Sequence, residues 1–114
     1  MRVAELEGLD LDYWVFRAEH PETRWTRSDW ESQSIPYSLS WQWGGPIIER
    51  ERIMIVPAGY NGDPEHEWMA GDEECWTKFR QPRWRGPTPL VAAMRAFVSR
   101  KFGDEVEDLP NGTD

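Results

Sequence analysis

Apolar residues recur with helical spacing near both ends of the chain. The first series, at i, i+3, i+4 and i+7, consists of Leu11, Trp14, Val15 and Ala18. This spacing puts them on one face of a helix, and the acidic residues at positions 10 and 12 suit the positive end of its dipole. Pro21 ends the segment, because the residue before a proline disfavours helical backbone. We therefore predict a helix over residues 8–19.

The second series follows two residues that are typical of a helix start. Thr88 suits the N-cap, and Pro89 suits the first helical position, where its missing N–H is not needed. The apolar residues that follow are Leu90, Met94, Phe97 and Val98. Gly103 stands where helices often end, after basic residues at 100 and 101. The pattern predicts a helix over residues 89–102, followed by an acidic tail, 104–114, that we expect to fray.

Two short segments have the composition of strands. Residues 53–56, IMIV, are rich in β-formers and are stopped by Pro57. Their unbroken apolar run predicts burial on both faces. Residues 74–80 alternate in polarity, which predicts a second strand at 75–80 that pairs antiparallel with 53–56 and turns Trp76 toward the core. The intervening residues 59–71, with a tip at 61–64, are rich in turn formers.

Two further segments have mixed patterns. Residues 21–40 read as a long irregular loop, with a helical turn around 25–31 as an alternative. Residues 41–51 either form one short helix after Ser40 or break at the two glycines before Pro46, which would then open the next piece. Together these elements predict one α+β domain over residues 1–114. A small antiparallel sheet is flanked by N- and C-terminal helices, and a short helix near 41–51 completes an α/β/α sandwich-like layering.

Aromatic residues are unusually abundant, with eight Trp, four Phe and three Tyr among 114 residues. A buried aromatic side chain covers roughly 150–250 Å². Two short helices and a small sheet need less ring surface than this, so we expect part of it to contact another molecule. Trp25 and Trp30, in the predicted loop, are candidate binding residues of this kind.

The net charge of −8 is unevenly distributed. Residues 75–103 contain seven basic and no acidic side chains, whereas residues 1–74 and 104–114 are predominantly acidic. The two kinds of region either pair within the fold or leave a basic patch for an anion or a partner. The acidic surface either keeps a small protein soluble or imitates the phosphates of a nucleic acid.

Within the basic region, residues 76–85 interleave aromatic and basic side chains. This combination is used to stack and neutralise single-stranded nucleic acid, but a pI of about 4.7 is unusual for a nucleic-acid binder. Trp and Arg also concentrate binding energy in protein interfaces. Arg83, Trp84 and Arg85 are therefore candidate binding residues, together with Trp25 and Trp30.

The usual patterns of metal ligands and catalytic residues are missing. His66 and the following glutamate begin a zinc-protease-like motif, but Ala70 takes the place of its second histidine. The spacing of a calcium loop is not met around residues 63–67. A cysteine such as Cys75, with His66 as the conceivable base, is more typical of a small buried side chain than of a nucleophile. We expect no metal, no cofactor and no enzymatic activity.

The single cysteine excludes an intramolecular disulfide and suits a reducing compartment. The first residues lack the apolar run of a signal peptide. No stretch reaches the ~18 apolar residues that a membrane span needs. We expect a cytoplasmic protein without membrane contact.

Three blocks of residues follow one another in the order found in a known family. They are LDYWV at 11–15, WGGPIIERERI at 43–53, and GPTPLVAAMR at 86–95 with KFGDEV at 101–106. On these blocks the chain resembles the NinX-like family of small phage and prophage proteins, to which no biochemical role is assigned. The resemblance implies a phage accessory protein of the bacterial host cytoplasm, related to phage domains that form an α/β/α sandwich. It carries over no catalytic residues.

We therefore expect a non-enzymatic protein that binds and modulates a host or phage protein through exposed Trp and Arg side chains. The alternative is a small nucleic-acid or nucleotide binder that uses residues 76–85. A homodimer would also cover an exposed apolar surface, which leaves the oligomeric state open.

Overall fold

The computed structural model describes residues 1–57, 67–78 and 82–107. A single 3₁₀ turn, Val3–Glu5, precedes the first helix. The remaining elements, in chain order, are α1 (Gly8–Glu19), α2 (Arg27–Gln33), α3 (Trp41–Glu51), β1 (Met54–Val56), β2 (Trp68–Gly71), α4 (Glu74–Thr77), β3 (Trp84–Gly86) and α5 (Pro89–Phe102).

The three strands form one antiparallel sheet in the order β1-β2-β3. Ile55 pairs with Ala70, and Met69 pairs with Arg85. The α+β class, with an antiparallel sheet and helices at both ends of the fold, is therefore confirmed. Helix α1 and helix α5 also have the bounds that the apolar periodicity predicted.

Helix α5 lies at the centre of the packing. All nine residues from Leu90 to Val98 are buried, as expected for a helix that is covered on every side. It contacts all three strands, and it also contacts α1, α3 and the 3₁₀ turn. The layers therefore run from the sheet through α5 to α1 and α3. At its start the Val91 N–H donates to Thr88 Oγ1 (3.1 Å), which is the predicted N-cap.

The predicted strand at 75–80 is wrong. Residues Glu74–Thr77 form the helical turn α4, which begins where Asp72 Oδ1 accepts the N–H of Glu74 (3.0 Å). The strand that pairs with β1 is Trp68–Gly71, inside the segment predicted to consist of turns. The predicted turn tip at 61–64, residues 79–81 and the side chain of Trp76 lie outside the described residues.

Burial of the 53–56 strand on both faces is also wrong. All three residues of β1 are half-buried, because β1 is an edge strand of the sheet. The strand with an unbroken buried run is the central one, β2, in which Met69–Gly71 are all buried. In β3, buried Trp84 and Gly86 alternate with exposed Arg85, as in a strand with one covered face.

The irregular loop predicted at 21–40 contains a helix, α2. Its start is a capping box, in which the Asp29 N–H donates to Thr26 Oγ1 (3.1 Å) and the Thr26 N–H donates to Asp29 Oδ2 (3.0 Å). Arg27 then holds α2 against α1: its Nη2 donates to Asp10 Oδ1 (2.8 Å), and its guanidinium lies 5.1 Å from the centre of the Tyr13 ring. Capping and one ion pair order a segment whose composition is that of a loop.

The first residues of the acidic tail are also ordered. The Val3 N–H donates to the carbonyl of Asp104 (2.9 Å), and the Val106 N–H donates to the carbonyl of Met1 (2.9 Å). Arg2 and Glu105 form an antiparallel bridge between the two segments. The expected fraying from residue 104 is therefore corrected for residues 104–107, and residues 108–114 lie outside the described part of the chain.

Helix α3 runs through Gly44, Gly45 and Pro46 without the break that was one of the two interpretations. Gly44 is buried, and a Cβ at this position would lie 2.5 Å from the Tyr37 carbonyl oxygen and 2.6 Å from Leu90 Cδ2. The missing side chain is what lets α3 approach both the 36–40 turn and α5.

We expect Gly44→Ala to destabilise the protein by about 1–3 kcal/mol through overpacking, even though alanine is favoured over glycine in helices by about 1 kcal/mol. Gly45→Ala is the matched control, because its Cβ would meet its nearest neighbour, Trp41 Cε3, at an ordinary 3.8 Å. We expect that control to change stability by less than about 1 kcal/mol. Urea denaturation of both variants measures the difference, and equal stability of the two would contradict the close approach at Gly44.

Candidate binding surfaces

Aromatic rings form a continuous series of contacts through the helical side of the protein. The centroid distances are 5.2 Å from Trp25 to Phe16, 5.1 Å from Phe16 to Trp30, 6.5 Å from Trp30 to Tyr37, and 6.4 Å from Tyr37 to Trp43. The rings in the middle of the series are buried, whereas Trp25 and Trp43 at its two ends are exposed. The series therefore joins the core to two places on the surface.

Trp30, one of the predicted binding residues, lies at the centre of this series. Its side chain is fully buried, and its Nε1 has no hydrogen-bond partner among the described residues. Trp84 is also a core residue, with 9% of its surface exposed. Of the five predicted binding residues, the structure therefore places Trp25, Arg83 and Arg85 on the surface.

A patch that the sequence did not single out lies at the start of α3. It consists of three exposed side chains around the first turn of α3, Leu39 (74% exposed), Trp41 (55%) and Trp43 (43%), and we call this set the Leu39–Trp43 patch. One signal was available in the sequence: two residues apart on a helix are separated by about 200°, so Trp41 and Trp43 could not both face one buried side. The prediction of surplus ring surface did not distinguish between individual tryptophans and therefore missed the exposure of Trp41 and Trp43.

Local hydrogen bonds fix the turn that carries this patch. The Ser38 N–H donates to Asp12 Oδ1 of α1 (2.8 Å), and the Ser40 N–H donates to the Pro36 carbonyl (3.0 Å). Trp43 also meets the buried Tyr37 ring edge-on. The patch is therefore held in place by the body of the protein.

The other predicted residues come together at a cavity beside β3. It has a volume of about 550 Å³, and its lining includes Arg83, Trp84 and Arg85. Arg83 pairs with Asp104 (2.5 Å), and its guanidinium lies 4.9 Å from the centre of the Trp84 ring. A second cavity of about 400 Å³ is also lined by Arg83, Trp84 and Asp104, and it extends to Arg100. Trp25 and Trp30 line neither cavity and belong to the aromatic series instead.

Arg95 of α5 also lines the larger cavity. In the sequence it is one of the seven basic residues at 75–103 and was not predicted as a binding residue. Its side chain is 8% exposed. Its Nε donates to the Leu6 carbonyl (2.8 Å), and its Nη1 donates to the Arg85 carbonyl (2.7 Å). Burial lowers the pKa of Arg95, and the carboxylates of Glu67 and Glu7 oppose that change. The available signal was its position as the one charged residue in the run 90–98.

Among the described residues, no group of three or more His, Cys, Asp or Glu side chains is arranged to hold a metal ion. Cys75 is half-buried in α4, and His66, its conceivable base, lies outside the described part of the chain. No helix in residues 1–57, 67–78 or 82–107 is both long enough and apolar enough to cross a membrane.

Comparison with known proteins places the chain in a family. The family model described as bacteriophage P22, NinX, matches residues 2–101. The chain belongs to this NinX family. The resemblance expected from the three sequence blocks is therefore confirmed, and the chain is a phage protein by family. The NinX match covers the Leu39–Trp43 patch and the residues that line the cavity beside β3, except Asp104 and Glu105. A search of curated proteins found no match.

Asp12, which accepts the Ser38 N–H, makes the stability of the protein depend on pH. Asp12 is 3% exposed, and burial raises its pKa, opposed by the hydrogen bond from Ser38. A raised pKa in the folded state means that ionisation costs stability. The wild type therefore loses stability relative to Asp12→Asn as the pH rises from about 4, near the pKa of an exposed Asp, through the raised pKa.

Urea denaturation of the wild type and Asp12→Asn between pH 4 and pH 7 measures this difference, since asparagine keeps the acceptor oxygen and carries no charge. We expect the free energy of unfolding of the variant, relative to the wild type, to increase with pH. A constant difference, or one that changes in the opposite direction, would show that Asp12 is not strained by its burial.

Proposed function

We propose that this protein is a non-enzymatic phage accessory protein that binds and modulates a host or phage protein in the bacterial cytoplasm. The observation that best supports this function is the exposed Leu39–Trp43 patch. Family membership supports the phage context, and the patch supports binding to another protein.

Exposed apolar side chains gain free energy when a partner covers them, at about 25 cal/mol per Å² of apolar surface. Tryptophan is enriched among the residues that dominate the binding energy of protein interfaces. Trp41, Trp43 and Leu39 lie within five residues of one another, and polar Ser40 and Gln42 separate them.

The patch is also well ordered before any partner binds. The bond between Asp12 and the Ser38 N–H and the ring contact between Tyr37 and Trp43 hold it against α1 and the core. A surface held in its binding conformation loses less conformational entropy on association. This favours recognition by a preformed surface over recognition by a segment that folds on binding.

A nucleic-acid or nucleotide binder that uses residues 76–85 has less support. Stacking on a base requires an open ring face, but Trp84 is 9% exposed, and Arg83 already lies over its ring. The protein-binding function therefore remains the better proposal.

A photo-crosslinking amino acid at position 41, introduced during phage infection, tests this function. We expect one discrete adduct with a host or phage protein. The adduct should be absent when the crosslinking group is placed at the exposed position 22, on the loop after α1. The purified partner should bind the Trp41→Ala/Trp43→Ala variant at least about tenfold more weakly, because two interface tryptophans each cost more than 1 kcal/mol when truncated.

Trp25→Ala is the matched control, because it removes an equally exposed tryptophan outside the patch. We expect it to bind the partner as the wild type does, with all variants checked for a native circular dichroism spectrum. The absence of a discrete adduct, or an adduct formed by two copies of this chain, would count against the proposed function.

A further inference from the structure

We propose that the cavity beside β3 is a binding site for one oxyanion, a carboxylate or phosphate group, and that Arg95 is its central ligand. This site is separate from the Leu39–Trp43 patch and goes beyond the proposed function. Three observations support this site: the hydrogen bonds of Arg95, the absence of an ion pair between Arg95 and any described residue, and the charged side chains that line the cavity.

The guanidinium of Arg95 has unused donors. A guanidinium carries five N–H groups, and Arg95 uses two of them, on the carbonyls of Leu6 and Arg85. Its Nη2 donates to no atom in the described part of the chain. Arg95 lines the cavity, so a ligand in the cavity could reach these remaining donors.

A second buried arginine shows how this protein normally accommodates such a group. Arg27 is as well buried as Arg95, at 6% against 8% exposed. It pairs with two carboxylates, Asp10 (2.8 Å) and Glu31 (3.0 Å). Arg95 makes no ion pair with any described residue, although Glu67 and Glu7 are near enough to raise its pKa. Its counter-ion is therefore missing from the described part of the protein.

Two more arginines line the same cavity, and neither forms an ion pair with a described residue. Arg2 and Arg85 are exposed and line it together with Arg95, whereas Arg83 is already paired with Asp104. The lining thus includes four arginines against three acids, which are Glu67, Asp104 and Glu105. The lining therefore carries more positive than negative groups, which favours an anion, and Glu7 is a further acid near Arg95.

The shape of the donors and the size of the cavity narrow the ligand further. The planar fork of a guanidinium matches carboxylate and phosphate oxygens. A volume of about 550 Å³ lies in the range of pockets that hold small molecules. The ligand is therefore a small molecule, or a single side chain, that presents one such group.

Nuclear magnetic resonance of the arginine Nε–Hε groups of the full chain tests this site, with sodium acetate and sodium phosphate as probes at constant ionic strength. We expect the Arg95 Nε–Hε signal to shift and saturate at millimolar concentrations with at least one probe. Saturation with acetate only assigns a carboxylate ligand, and saturation with phosphate only assigns a phosphoryl ligand. Absence of a saturating shift with both probes would overturn the site.

Substitution of Arg95 itself would remove two hydrogen bonds to the backbone and endanger folding, so the exposed arginines provide the variants. We expect Arg2→Gln/Arg85→Gln to bind the probe that gave saturation at least about tenfold more weakly. The reason is that a hydrogen bond to a charged group contributes about 1.5–3 kcal/mol. The matched control is Arg24→Gln/Arg52→Gln, which removes the same charge from exposed positions outside the cavity. Equal weakening by both variants would reveal non-specific screening only and would overturn the proposal.

Discussion

The burial of α5 on every side is the constraint on which the rest of the structure depends. A helix that is apolar all round cannot be covered by a single layer, so the sheet covers one side of α5 while α1 and α3 cover another. Arg95 is the one charged residue within this buried run. Its guanidinium connects the helix to Leu6, directly after the 3₁₀ turn, and to β3. Arg95 also lines the cavity beside β3. Through this cavity the proposed anion would reach the cation.

Large rings compensate for the shortness of the other elements. Strands of three or four residues and a seven-residue helix offer little aliphatic surface, and each ring covers roughly 150–250 Å². Trp30 therefore fills the space between α1, α2 and the 36–40 turn, where it contacts Phe16, Tyr13 and Tyr37. Trp41 and Trp43 are exposed at the surface, so part of the ring surface is not used by the core. Trp30 and Trp84 belong to the core.

The sequence predicted elements whose signals are local. Helix α5 carries its own cap, its own apolar series and its own terminal glycine, so its bounds could be predicted without knowledge of the fold. Strand β2 has no such signal, because Trp68–Gly71 becomes a strand through its pairing with β1 and β3. The alternation at 74–80 imitated a strand because periodicity over a few residues does not separate a strand from a helical turn. Arg95 stands out in the sequence only as the one charged residue of the run 90–98, and its hydrogen bonds to the carbonyls of Leu6 and Arg85 depend on the fold.

Each candidate surface is carried by an element that packs against the first turn of α5 at a glycine. A side chain at either glycine would clash with α5. A Cβ at Gly44, on the helix that carries the patch, would lie 2.6 Å from Leu90 Cδ2. A Cβ at Gly86, at the end of β3, would lie 2.9 Å from Val91 Cγ1. The first turn of α5 thus limits how closely α3 and β3 approach, through the Leu90 side chain at Gly44 and through Val91 and the Ala92 backbone at Gly86. Because a protein interior is densely packed, a side chain at either glycine would displace the element that carries the corresponding surface.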